Sequence, residues 1–345
     1  MIKMIEKIGI IGVLFSIFLS GTLSASEEVN VYSHRHYAVD KELYDEFFKQ
    51  TGIKVNLLKA PSAQLIQRIN KEGKYTKADV LVTTDVGMLE LAKSKNIFQS
   101  IQSEFLEKTV PKYLKDKDNL WFALTKRAQV IAYNIDEVKP EELSTYEDLV
   151  DEKWEDRIVV TKATEVYNQS LLASIIVNDG ATKAQQWAAG VKKNMVRKPR
   201  GIDKDSLRAI ASGIGDVAIV NTYYIGQMMK GRSFSDRATS EMIGVFFPNQ
   251  GENERGTHIN ISGAGVVKYS KNKENAIKFI EFLASVKAQE LFAQVNFEYP
   301  VNPEAKISEV LQEWGSFKED KTSLYKIGNQ NIQSVKMLNQ VGWDR

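Results

Sequence analysis

Residues 29 to 58 read VNVYSHRHYAVDKELYDEFFKQTGIKVNLL. Val29 to Tyr32 is a short β-branched run, Val39 to Gln50 is amphipathic at helical spacing, and Ile53 to Leu58 is again a strand pattern. Strand, helix, strand in that order predicts a parallel pair within an α/β sheet. The same alternation continues down the chain. Further strands are expected at Val80 to Thr83, Val130 to Tyr133, Ile158 to Thr161, Val217 to Val220 and Met242 to Phe247, with helical patterns between most of them. At 345 residues the chain exceeds one doubly wound sheet, so two open α/β lobes are expected. No Pro/Gly/Ser-rich linker separates them, which predicts that ordered strands join the lobes. Ala123 to Asn134 and Thr257 to Lys268 are the expected crossings. No internal repeat, low-complexity tract or long charge run interrupts the pattern.

Composition then narrows the chemistry. Lys and Arg number 46 against 44 Asp and Glu, a net charge of +2, and 43% of residues are hydrophobic. This is globular composition and excludes a disordered tail or a polycationic nucleic-acid binder. Cysteine is absent, which removes thiolate nucleophiles, Cys-based zinc sites, iron–sulfur clusters and disulfides. Any site must therefore be built from oxygen and imidazole. Only three histidines stand beside thirteen tyrosines, so phenol is the abundant donor.

The first residues are an address. Lys3 and Lys7 precede the apolar run Ile8 to Leu19, and Gly21, Ser24 and Ala25 follow, the pattern of a secretory signal peptide cut after Ala25. The apolar run is too short to span a bilayer. With no cysteine to carry a lipid, the mature chain is expected free of the membrane, in a Gram-negative periplasm.

Enzyme signatures are missing. Gly213-Ile-Gly215-Asp-Val-Ala218 spells a dinucleotide fingerprint, but it precedes a strand where the fingerprint must follow one, so it reads as a helix end and turn. No Walker A loop, nucleophile elbow or H-E-x-x-H occurs. The tyrosines are better placed. Ser33-His34-Arg35-His36-Tyr37 lies at the carboxyl end of the first strand, where open α/β sheets put their ligands. Thr222-Tyr223-Tyr224 follows Val217 to Val220, and Thr164-Glu-Val-Tyr167 follows Ile158 to Thr161. Each sits where a helix begins. A phenol, with its pKa near 10, is a poor ligand at neutral pH unless something favours phenolate. A helix N-terminus helps a little and a trivalent cation far more. Hard, highly charged ions prefer oxygen donors, so several phenols with one imidazole suit ferric iron. Two other readings stand beside this one: each tyrosine as a packing residue with a tethered hydroxyl, and His34 with His36 as an H-x-H zinc pair.

Taken together, these motifs resemble the ferric-iron-binding proteins of bacterial ABC transporters, the bacterial transferrins, within the periplasmic binding proteins. The resemblance covers essentially the whole mature chain. It is carried by Tyr32-Ser-His-Arg-His-Tyr37, Lys126-Arg-Ala-Gln-Val-Ile-Ala-Tyr-Asn134, Asn221-Thr-Tyr-Tyr224, Thr257-His-Ile-Asn-Ile-Ser-Gly263 and Tyr299-Pro-Val-Asn-Pro303. It implies a two-lobed periplasmic binding protein fold, two open α/β domains joined by crossover strands, closing like a jaw on iron. The expected lobes are 27–125 with 256–304, and 126–255 with 305–345, after a signal peptide at 1–25. Residue by residue, the resemblance implies a metal set of His36 and Tyr37 from one lobe and Tyr223 and Tyr224 from the other. Tyr167 matches the extra tyrosine of the tyrosine-rich subgroup. Arg127 matches an arginine beside the metal, where a cation favours phenolate, although a hinge salt bridge would also account for it. Arg35 reads either as a rim partner for a carboxylate or as a solvent-facing side chain, and His258 as a structural hydrogen-bonding residue.

The function implied is a non-enzymatic receptor, expected to be a monomer, that carries Fe(III) as its transported ligand to an inner-membrane ABC permease. No organic cofactor, nucleic acid or membrane insertion enters. Two alternatives remain open on the sequence. The same fold could take a small anion or organic solute such as a phosphonate or polyamine. A two-lobed deaminase that builds a pyrrole chain shares the architecture but needs a cysteine to anchor its cofactor.

Overall fold

The computed structural model describes residues 27–345, so the expected signal peptide at 1–25 lies outside the described residues. Nine strands are present: β1 Glu28–Ser33, β2 Lys54–Lys59, β3 Val80–Thr83, β4 Phe122–Asn134, β5 Ile158–Val159, β6 Val217–Asn221, β7 Ile243–Phe246, β8 Ile259–Val266 and β9 Tyr299–Pro300. They run in the order β2-β1-β3-β8-β4-β6-β5, with β7 and β9 also on β4. The opening stretch behaves as its pattern dictates: β1 pairs parallel with β2 and β3. The helix between them, Ala38–Thr51, buries Val39, Leu43 and Phe47, one stripe at helical spacing, and stops at Gly52 in the left-handed conformation.

Strand β4 decides the layout. Its first half, Phe122 to Ala128, pairs with β8, and its second half, Gln129 to Tyr133, pairs with β6. One strand thus belongs to both sheets, as expected for the first crossing. The return crossing falls earlier than the pattern Thr257 to Lys268 suggested. Strand β8 pairs only with β3 and β4, so the chain changes sheets in the loop between Phe246 and His258, whose carbonyl accepts from the Gln129 backbone N–H at 3.0 Å. The strand pattern was real, but a β-rich run marks a strand without saying which sheet it joins.

Two large cores flank this junction. One gathers Val29, Val31, Leu43, Phe47, Phe279 and Phe292, and the other Ile131, Trp154, Trp187 and Trp343. We propose that the two cores correspond to the lobes 27–125 with 256–304 and 126–255 with 305–345. The C-terminal segment touches both, because Leu324 and Ile327 enter the first core while Met337, Leu338 and Trp343 enter the second.

The helix Thr222–Lys230, which follows β6, meets the end of the helix Val286–Asn296 at one tight point, within a small cluster that includes Tyr223 and Phe297. A Cβ on Gly226 would lie 2.6 Å from the Phe297 ring, and Phe297 itself caps the helix Val286–Asn296 at φ +57°. Only a glycine lets the two helices meet here. Gly226→Ala is therefore expected to destabilise the fold by about 1–3 kcal/mol through overpacking. A urea-unfolding midpoint equal to that of the parent chain would show that Phe297 yields without cost.

Candidate metal centre

The tyrosines sit on helix starts for a local reason. Tyr37 is the N-cap of Ala38–Thr51 in extended conformation, with its backbone N–H donating to Asp40 Oδ2 at 3.2 Å. Tyr167 lies in the first turn of Val166–Asp179, and Tyr223 and Tyr224 in the first turn of Thr222–Lys230. Each helix therefore aims its N-terminal dipole at the same space.

There the side chains converge. The Tyr167 and Tyr223 hydroxyls are 2.9 Å apart. The Tyr37 and Tyr223 rings meet edge to face at 5.9 Å, and Tyr223 and Tyr224 lie 4.2 Å apart. Tyr223 is buried, while Tyr37, Tyr167 and Tyr224 are half-buried and open onto a cleft of about 700 Å³. The His36 ring stands at the exposed lip, 4.9 Å from that of Tyr37. All five residues expected as ligands are thus brought to one cleft. Among the described residues no three His, Asp or Glu side chains gather closely enough to hold a metal, so the phenols are the concentrated donors.

Electrostatics decides the state of those phenols. Burial pushes Tyr37, Tyr167, Tyr223 and Tyr224 well above 10, and they raise one another further. Without a cation they are neutral and hydrogen-bonded to each other. Arg127 opposes this for Tyr167 and Tyr223. It is 2% exposed, its guanidinium lies 5.2 Å from the Tyr167 ring centre, Nη2 donates to the Thr84 carbonyl, and Nε has no partner. No carboxylate lies within ion-pair distance of it among the described residues, so the hinge salt bridge does not form.

Arg35 reads differently from both expectations. It neither lies at the rim nor faces solvent. It is 2% exposed, paired with Asp40 at 2.9 Å and Glu298 at 2.8 Å, and lies 4.7 Å from the Tyr37 ring centre. His258 is structural as expected: fully buried, with Nε2 3.0 Å from Ser170 Oγ, and pushed down to about 3 by burial, Arg255 and Arg127. The H-x-H pair is not arranged to chelate, since His34 Nδ1 engages Thr84 Oγ1 at 3.0 Å and the two rings are 6.3 Å apart.

Two supporting residues escaped the sequence reading. Asp203, raised to about 6 chiefly by burial, accepts from the Asn221 backbone at 2.8 Å and side chain at 2.9 Å, and so fixes the N-cap of the Tyr223 helix. Its only trace in the sequence is an acidic residue opening the preceding helix, Asp203–Ala211. Glu298, the partner of Arg35, left no trace at all.

Two α/β sheets joined through one shared strand, with donors from both facing one cleft, define a two-lobed solute-binding protein. Residues 75–318 match the family model described as bacterial extracellular solute-binding protein, and the chain belongs to that family. Within it, the chain is 46% identical to "Iron uptake protein A1" of Synechocystis sp. over 94% of its own length and 90% of the relative's. The solved Trichodesmium IdiA (FutA), in complex with iron and citrate ligands, superposes with a TM-score of 0.88 at 46% identity, covering 92% of this chain and 99% of that one. The ferric binding protein from Campylobacter jejuni gives 0.87 at 40% identity, covering 91% and 99%. These neighbours bear out the two-lobed α/β class expected from the strand and helix pattern.

The raised phenol values carry a sign. A phenol neutral in the folded state up to a higher pH than in the unfolded chain contributes stability that is complete below about pH 10 and is lost as pH rises beyond it. In metal-free protein the four tyrosines are therefore expected to stay silent in a spectrophotometric titration from about pH 8 to about pH 11. A variant with all four changed to Phe should match the parent's amplitude; a smaller amplitude would show that at least one of them ionises readily.

Proposed function

We propose that this chain captures ferric iron between its lobes and delivers it to an inner-membrane ABC permease, as a periplasmic receptor without enzymatic activity once residues 1–25 are removed. The observation that carries the reading is the convergence of four phenols from two sheets beside a buried arginine that lacks a carboxylate. We assign His36 and Tyr37 to the grip of the first lobe, Tyr167, Tyr223 and Tyr224 to that of the second, and Arg127 to the role of an adjacent cation that favours phenolate.

The chemistry follows from charge. Neutral phenols have no charge with which to hold a polyamine, but a trivalent cation can expel their protons and take the resulting phenolates as hard oxygen ligands. Because the donors come from both lobes, only a closed cleft lets all of them touch one ion, so iron favours closure. The relatives named for iron uptake and ferric binding support the same reading over a phosphonate or polyamine.

Adding Fe(III) to the purified protein is expected to produce a visible phenolate-to-iron charge-transfer band that the Tyr223→Phe, Tyr224→Phe variant loses. A parent protein that stays colourless would sink the ferric assignment. Loss of an outer-shell partner costs a metal site about 10–100-fold in affinity, so Tyr167→Phe, which removes a ligand, is expected to cost at least that while shifting the band and leaving the fold intact. Unchanged affinity and spectrum would reduce Tyr167 to packing. Each bound phenolate is also a proton acceptor, so iron should dissociate as pH falls; retention independent of pH in a competitive chelator titration would contradict phenolate ligation.

A further inference from the structure

Beneath the tyrosines a chain of hydrogen bonds runs from one lobe to the other without using a metal. Arg35 donates from Nη1 and Nη2 to both oxygens of Glu298 at 3.0 and 2.8 Å, and from Nε to Asp40 at 2.9 Å. Glu298 also accepts from Thr125 Oγ1 at 2.6 Å and from Asn296 Nδ2 at 2.8 Å. Asn296 Oδ1 in turn accepts from Gln227 Nε2 at 2.8 Å. Arg35, Glu298 and Asn296 are buried, and Gln227 is half-buried at the wall of the cleft.

The two ends of the chain are the two grips. Asp40 holds the Tyr37 backbone N–H, and Arg35 lies over the Tyr37 ring. Gln227 sits on the helix Thr222–Lys230, one turn beyond Tyr223 and Tyr224. We propose that Gln227 is a positioning residue that docks the Tyr223–Tyr224 helix onto the Tyr37 pedestal and keeps the two sets of phenols in register.

The direction of every bond is forced. A carboxylate paired with Arg35 only accepts, so Asn296 must turn its NH₂ toward Glu298. Its carbonyl oxygen is then left facing Gln227, which must donate. A carboxylate at position 227 would meet that oxygen with no proton to offer, and Asn296 cannot flip without turning its oxygen onto Glu298. The network thus distinguishes loss of a bond from reversal of one. Gln227→Ala removes a link worth a single hydrogen bond, whereas Gln227→Glu sets two acceptors against each other in a partly desolvated place.

Two measurements test this, and only the second rests on the ferric reading of the cleft. In metal-free protein, small-angle scattering should show a larger radius of gyration for Gln227→Ala than for the parent, and a larger one still for Gln227→Glu. In iron-loaded protein, transfer of Fe(III) to a competing chelator should be about 2–10-fold faster for Gln227→Ala and faster again for Gln227→Glu. The maximum of the visible band should not move, because the ligands are unchanged. Parent-like scattering in both variants, or a Gln227→Glu effect smaller than that of Gln227→Ala, would overturn the proposal. A displaced band would place the Gln227 amide in the coordination sphere and overturn it equally. If no iron binds at all, the scattering arm still decides the latch while the ferric reading falls by itself.

Discussion

The rest of the molecule is organised around four buried phenols that cannot ionise alone. Burial is what assembles them, and burial is also what keeps them protonated. A site of this kind favours a cation strong enough to expel several protons at once. Selectivity thus begins with the cost of making phenolate, before any question of cavity shape. The Tyr167 and Tyr223 hydroxyls stand 2.9 Å apart, within hydrogen-bond reach of each other.

The fold supplies this arrangement through its chain path. Three strand-to-helix junctions place tyrosine at a helix start, and β4 carries the junctions from both sheets to one meeting place. Strand β4 is continuous through both sheets and ties them together. The Gly226–Phe297 contact shows how closely the Tyr223 helix is seated on the end of the helix Val286–Asn296.

Much of this was legible in the residues. A β-branched run followed by tyrosine and then a helical pattern is a local signal, and it located Tyr37, Tyr167, Tyr223 and Tyr224 at the carboxyl ends of strands. The glycines at 213 and 215 likewise read correctly as a turn, each having a positive φ. What could not be read was pairing at a distance. Arg35 and Glu298 are 263 residues apart, and nothing in either neighbourhood announces the other. The same limit hid the sheet to which the return strand belongs and the division of the C-terminal segment between two cores. Periodicity reports which face of an element is buried; it carries no address for the surface that buries it.

The two buried arginines show why the distinction matters. Both are about equally hidden, and a guanidinium keeps its charge in either place. Arg35 is paired with both Asp40 and Glu298, so its charge is more than offset and its work is mechanical, holding Tyr37 in place. Arg127 has only the Thr84 carbonyl at hydrogen-bond distance, and the buried Asp85 and Asp203 feel its charge without pairing with it. Four phenolates around one Fe(III) carry a single net negative charge, and Arg127 supplies a single positive one. A buried cluster whose total is neutral avoids the large desolvation penalty that an uncompensated charge would incur. In the proposed ligand set, Arg127 is placed to offset the negative charge that four phenolates would leave around Fe(III).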